Sequence, residues 1–465
     1  MRRLISPFSA AVGFFVSASI VLAQAGPTTA PAPSAEATSS GPTVIEPNQA
    51  PAGVRNDEVP TPIPPYQMSV PLGHLFGDWG GARTELENLG ITPDLNLETD
   101  MASNPSGGQR EGITEASNLG LNFLADLNKM AGIPGASFLV QFSERWGDSL
   151  SKQYIGNLFD TQQVYGGESF RLVDAAYQQQ LADDRIELRL GRISANDDFQ
   201  VLQYDYFFMQ NGFDGNPVGI YFNAPGMTAY PDATWGSLVK VRPTPRTYAM
   251  VGVYDGDPNQ RGIDRHGWDL TMRGPVFVIG EAGLQVNGLP GDKGLTGDYK
   301  LGAWYDASTQ AVFGSADTQR GSSGEYALFD QCVVLFGPRQ TNRGLGLFGS
   351  ATFSNNPAVG TMPFFFTAGA VARGIFDCQP TDEVGLGVLY GIFSDDLRYA
   401  EQQAQLVTPA TVIQDYELAF ELTYRIYLLS RSVYVQPDLQ FINHPNGDEH
   451  TTDALVVGCR VGIDF

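Results

Sequence analysis

In the stretch DLNLETDM, Asp94, Asn96, Glu98 and Asp100 recur at every second position. Side chains of an extended chain alternate between two faces, so these four groups share one face while Leu95, Leu97 and Met101 share the other. Such a wall offers closely spaced acceptors and charges to water or to a hydroxyl-rich solute. The design recurs along the chain. In LGLNFLADLN, Asn122 and Asp126 oppose Leu119, Leu121, Phe123, Ala125 and Leu127, and in RIELRLGR, Arg185, Glu187 and Arg189 oppose Ile186, Leu188 and Leu190. In DYELAFELTYRIYLL, Glu417, Glu421, Thr423 and Arg425 oppose Tyr416, Leu418, Phe420, Leu422, Tyr424, Ile426 and Leu428. Asp438, Gln440, Arg460 and Asp464 extend the polar wall toward the carboxyl terminus, and Trp304 in KLGAWYD is a candidate stacking platform.

Catalytic chemistry has no comparable support. The four histidines, His74, His266, His444 and His450, are scattered, and HExxH, GxSxG and zinc-spaced cysteine pairs are all missing from the sequence. Acid pairs are common in so acidic a chain, but the carboxylate separation a glycosidase needs is not readable from sequence. The run Asp255, Asp257, Asn259 resembles the start of a calcium loop, yet Gln260 stands where glycine is needed and His266 where glutamate is needed. Neither an enzyme, nor a metal, nor a cofactor is expected.

The elements that must carry these faces are strands. Alternating segments near 93, 118, 137, 171, 186, 235, 248, 276, 299, 326, 345, 364, 384, 416, 433 and 455 are separated by Gly, Asp, Asn and Pro. About sixteen is an even number, which suits a closed antiparallel up-and-down β-barrel, and a tilted membrane-crossing strand needs about nine to eleven residues. Short connections such as LADDR (181–185) contrast with long polar ones such as 393–414, as turns contrast with external loops. Tyr416, Tyr424 and Tyr427 lie toward the ends of their strand, as interfacial aromatics do. The fold class expected is all-β: a transmembrane barrel over residues 92–465, preceded by a short N-terminal helix in the segment 74–91, from Ala82 to Leu89 with Gly90 closing it.

The beginning of the chain reads as an export signal over residues 1–25, with Arg2 and Arg3, an apolar run from about Ala10 to Leu22, and small residues at Ala23 and Ala25. Residues 26–73 are rich in Pro, Ala, Thr and Ser, a composition that reads as a disordered tether. With 51 acidic against 28 basic residues the net charge is -23, which argues against a nucleic-acid partner and for poor passage of anions. Three cysteines in an exported chain leave at least one without an intramolecular partner, and a bridge between Cys332 and Cys378 stays open.

The segment HLFGDWGGARTELENLGI (74–91) resembles the entry motif of the carbohydrate-selective porins of the OprB family, through Gly77, Asp78, Trp79, Gly80, Gly81, Arg83 and Leu86. AGIPGASFLVQF (131–142), LRLGRISANDDF (188–199), VGVYDGDP (251–258) and RGIFDCQPTDEVGLGVLYGIFSDDL (373–397) continue the likeness, which covers about residues 74–465. The resemblance implies a sixteen-stranded barrel in the outer membrane of a Gram-negative bacterium, through which carbohydrates (glucose-type monosaccharides or small oligosaccharides) diffuse passively. It also implies that Phe465 is the aromatic end read by barrel-insertion machinery. Two alternatives stay open: a general diffusion porin without a sugar site, and an exported soluble β protein that binds or cleaves carbohydrate. The partners expected are a carbohydrate solute, outer-membrane lipid and the insertion machinery, with a homo-oligomer left open.

Overall fold

Two-residue alternation becomes sixteen strands because each strand can bury backbone polar groups only by pairing on both sides, and closing the sheet removes its edges. In a computed structural model that describes residues 74–465 apart from 167–168, 214–217, 258–265, 269–270 and 339–342, these are β1 (Ile91–Ser106), β2 (Gly112–Asp126), β3 (Ala136–Gly147), β4 (Phe170–Leu181), β5 (Ile186–Ile193), β6 (Thr234–Thr244), β7 (Thr247–Asp255) and β8 (Val276–Val286). They continue with β9 (Gly297–Ala311), β10 (Thr318–Leu335), β11 (Gly344–Ser354), β12 (Phe364–Arg373), β13 (Glu383–Ile392), β14 (Tyr416–Leu428), β15 (Val433–Asn443) and β16 (Ala454–Asp464). Each strand pairs antiparallel with its chain neighbours, and β1 closes the barrel on β16 with Leu97 opposite Ile463 and Asp100 opposite Arg460. All sixteen expected segments coincide with strands. The expected signal and tether, and the middle of the Asp255 loop, lie outside the described residues.

The outward faces carry the apolar half of the alternation. Leu422 and Leu301 remain 47% and 57% exposed, an exposure that meets hydrocarbon in a bilayer. At the end of the barrel away from the chain termini, Phe353, Phe364, Phe366, Tyr390, Tyr416 and His444 form an unbroken chain of ring contacts across β11 to β14, with centroids 4.5 to 6.0 Å apart. Aromatic rings at that level suit a membrane interface. Tyr427, expected as an interfacial aromatic toward the other end of β14, instead turns inward and packs edge-on against Tyr434 of β15.

Among the described residues three α-helices accompany the barrel: α1 (Ala82–Asn88), α2 (Leu127–Ala131) and α3 (Asp395–Gln405). The first matches the expectation to within a residue. The third lies in a connection read from sequence only as a polar loop, although its start was legible: the Ser394 hydroxyl accepts from the backbone N–H of Asp396 and Leu397 ahead of a run of helix formers. Asp126, expected on the lumen wall, accepts from the N–H groups of Asn128 and Lys129 and so caps α2. Arg185, expected beside it on that wall, is exposed in the turn between β4 and β5. No disulfide joins Cys332, Cys378 or Cys459.

The apolar core sits inside the barrel. The described parts of the β3–β4 connection (148–166) and the β5–β6 connection (194–213 and 218–233) fold into the lumen, bringing Leu150, Phe159, Phe199, Phe207, Phe208 and Phe213 against Phe277, Phe348 and Phe365 of the wall. Trp304 belongs to this cluster at 3% exposure, so its faces are covered and it offers no open stacking platform. Inward glycines on β13 make the room: a Cβ at Gly385 would lie 2.6 Å from the Phe207 ring, and one at Gly387 would lie 2.8 Å from Phe213.

Candidate functional site

The inward faces divide into two sets of polar groups. One set holds the inserted connections. Glu417 of β14 accepts from the N–H groups of Leu158 (2.7 Å) and Phe159 (3.0 Å), and Glu421, two repeats of the alternation further, accepts from Met209 (2.6 Å) and Gln210 (3.0 Å). Gln440 donates to the Thr161 carbonyl at 3.0 Å and to Asp438 at 2.9 Å. Glu281 accepts from Gln200 N–H, Asp330 from Gln203 and Tyr204, and Asp306 from Gly226, while Lys300 donates to the Val201 carbonyl. Each is a wall group, charged in every case but Gln440, that satisfies a backbone group of a loop that would otherwise be orphaned inside the barrel. Bonds of this charge-assisted kind contribute roughly 1.5–3 kcal/mol each.

Asp100 and Arg460 form a bidentate pair at 2.7 and 2.9 Å across the β1–β16 closure, and Arg460 also reaches Gln163 of the first inserted connection at 3.0 Å. Asp174 accepts from the N–H of Ser194 at the start of the second, and Arg189 joins Asp174 (3.4 Å) to Asp198 (2.5 Å). Burial, reinforced by the neighbouring Asp174, pushes the carboxyl of Asp197 in this connection well above the usual carboxylate range. Asp160 in the first connection is also raised by burial, against the opposing hydrogen bond from Ser149.

The second set is less completely covered. These inward groups are only half-buried, which leaves them in reach of solvent: Glu98 on β1, Lys240 on β6, Arg373 on β12 and Arg425 on β14. Each of the three cations lies over an aromatic ring. Arg425 stands 4.3 Å from the Tyr434 centroid, Lys240 4.6 Å from Tyr248, and Arg373 5.5 Å from Tyr204. Arg145 of β3 stands 5.1 Å from Tyr230 and donates to Asn118. Glu98 accepts from the Tyr434 hydroxyl. Two of the tyrosines, Tyr204 and Tyr230, come from the inserted connection; burial pushes the Tyr204 phenol up to about 12, and raises Tyr230 against the pull of Arg145. Both stay neutral hydrogen-bond donors at ordinary pH.

The expected site residues thus part company. Glu98 and Arg425 meet at Tyr434, and Arg425 also donates to Gln436 at 2.7 Å. Glu187 is paired with Arg242 at 3.2 Å, and Asp94 accepts from Asn122 at 2.9 Å near the terminus-bearing end, with Asn96 next along β1 against Gly120. Asp100, Arg189, Glu417, Glu421, Asp438, Gln440 and Arg460 are buried under the inserted connections. Reading faces alone missed Arg145, Lys240, Arg373, Tyr204 and Tyr230. For Lys240 in SLVKVR the alternation itself was a usable signal, whereas nothing local marks Tyr204 or Tyr230, which lie in connections.

The barrel has known counterparts. Porin B of Pseudomonas aeruginosa is 28% identical over 427 residues, covering 84% of this chain and 91% of that protein, and the putative porin QuiX of Acinetobacter baylyi is 28% identical over 424 residues, covering 84% and 93%. The high-pH structure of Pseudomonas putida OprB superposes with a TM-score of 0.79 at 26% identity, over 85% of this chain and 99% of that one. The low-pH structure of the same protein, at 21% identity and a TM-score of 0.55, repeats the fold. The model of the family described as carbohydrate-selective porin, OprB family, matches residues 110–465. With most of the chain under that model and a closed sixteen-stranded barrel to match, the protein belongs to the OprB family of carbohydrate-selective porins of the Gram-negative outer membrane.

Proposed function

We propose that the channel passes glucose-type monosaccharides and small oligosaccharides by facilitated diffusion, without a cofactor, through the passage rimmed by Glu98, Arg145, Lys240, Arg373 and Arg425. The observation that carries this reading is the stacking of these four cations on tyrosine rings. A stacked guanidinium is held flat, so its N–H donors project at fixed angles toward the passage instead of sampling many rotamers. Sugar hydroxyls accept from those donors and donate to Glu98, and neighbouring tyrosine hydroxyls serve either role. All of these contacts are made at the edge of water, which keeps each one weak enough for the solute to leave again.

Overall charge does not govern this rim. The chain carries a net charge of -23, but the cations of the passage are set among carboxylates that are largely committed to loop amides or to ion pairs. A neutral, hydroxyl-rich solute suits a rim of mixed sign better than an ion of either sign. Phe465 is read, in the same proposal, as the address for the machinery that inserts the barrel.

The test is single-channel conductance of the purified protein in a planar bilayer with glucose titrated in. Saturable reduction of the conductance steps is expected. Steps that glucose leaves unchanged would replace the sugar rim with a general diffusion pore.

A further inference from the structure

The N-terminal segment 74–91 is joined to the other end of the chain. Leu75 N–H donates to the Asp464 carbonyl at 2.7 Å, continuing the ladder beyond the last strand, while Phe465 N–H donates to Leu95 of β1 at 2.9 Å. The Phe76 ring stacks on the Phe465 ring with centroids 5.5 Å apart. Arg83, 6% exposed, donates through Nη1 to the Pro93 carbonyl of β1 at 2.9 Å and through Nη2 to a carboxyl oxygen of Phe465 at 2.6 Å. One guanidinium thus bridges the two strands whose pairing closes the barrel.

The sequence GDWGGAR builds that bridge. Trp79, Gly80 and Gly81 all have positive φ (50°, 70° and 102°), a run that two glycines make affordable and that turns the chain sharply before α1. The turn is tied by Asp78, whose carboxylate accepts from both the N–H and the hydroxyl of Thr84 at 2.8 Å. It brings the Trp79 ring to 4.5 Å from the Arg83 guanidinium, covering the face that the two carbonyl-directed bonds leave open.

We propose that residues 75–83 are a clasp that shuts over the carboxyl terminus once β1 has met β16, with Arg83 as its pin. Before closure, β16 is an edge strand with unpaired N–H and C=O groups and a free aromatic carboxyl end, the kind of edge that a strand-adding partner captures through backbone bonds. After closure every one of those features is occupied from within: the ladder by β1 and Leu75, the ring by Phe76, and the terminal charge by Arg83. The clasp therefore does two linked things. It stops the seam from fraying at its weakest point, the chain end, and it withdraws that end from any partner that holds the unclosed strand.

The test reads the accessibility of Phe465 directly. The folded, detergent-solubilised full chain is treated with carboxypeptidase A, and release of phenylalanine is followed relative to the same protein unfolded by heat. Proteolysis through a transient opening tracks the open population, so loss of a charge-assisted bond to the carboxylate should raise the release rate by roughly tenfold or more. Arg83→Ala and, independently of the buried guanidinium, Phe76→Ala are expected to release Phe465 faster, while Glu85→Gln on the exposed side of α1 matches the unsubstituted chain. Single-channel conductance should be unchanged in all three. Equal release rates from the unsubstituted chain and from a folded Arg83→Ala or Phe76→Ala variant would overturn the clasp.

Discussion

Glu417 and Glu98 obey one rule and do different work. Both sit on the inward face of a strand, both are carboxylates, and both were legible from the same alternation. Glu417 is fully covered and holds three backbone N–H groups, those of Leu158, Phe159 and Asn446, so its lone pairs are spent inside the protein. Glu98 is half-buried and accepts from one tyrosine hydroxyl, which leaves it acceptor capacity to spare. The contrast extends to whole sectors. Where the inserted connections cover the wall, polar residues act as fasteners; where the cover is thinner, as at Glu98, the same residue types stay partly exposed.

The strongest way to break this contrast is to cut the fasteners. Replacing Glu417 and Glu421 together by Ala removes the acceptors of five loop amides, four of them in the inserted connections, leaving those groups without these partners. The inserted connections should lift from the wall, raising single-channel conductance about twofold or more and admitting larger oligosaccharides in liposome swelling; an unchanged size cut-off would show that aromatic packing alone holds them. A smaller effect is expected at the rim. Arg425→Ala should leave conductance steps close to normal but weaken glucose block by roughly tenfold, and Arg425→Lys should restore little of it, because an ammonium lacks the planar fork that stacks on Tyr434.

The smallest effect is one of pH. The Asp197 carboxyl is raised well above 3.8 by burial and by Asp174, so its neutral form is the one the folded state favours. Its stabilising contribution is complete below the ordinary aspartate range and is lost as pH rises through the raised value. Resistance to unfolding in SDS should therefore fall across that window, and Asp197→Asn, which stays neutral throughout, should flatten the dependence. A profile with the same slope in both proteins would assign it to other groups.

Much of this molecule was legible from residue order. The apolar outer face of β14, from Tyr416 to Leu428, follows from alternation because lipid imposes one requirement on every outward position. The inner face was read to the correct side but not to the correct task, since Glu417, Asp438 and Gln440 look to local reasoning no different from groups that touch solute. Inward Gly385 and Gly387 carried a hint: alternate glycines on a wall mean that something large lies against it. Asp126 and Arg185 were misplaced because one is the last residue of β2 and the other stands just before β5, where the two-residue rule gives way to turn and cap geometry.

The sequence by itself determined the sixteen strands, their faces, the N-terminal helix and the closure of the barrel by its last strand, because these depend on local periodicity and on the need of every strand for two neighbours. Tertiary structure decided which lumen groups remain open, how Tyr204 and Tyr230 come to lie beneath Arg373 and Arg145, and how Arg83 reaches Phe465. Those pairings join residues far apart in the chain. Contacts of that kind have no local period and exist only once the connections have turned inward and the two ends have met.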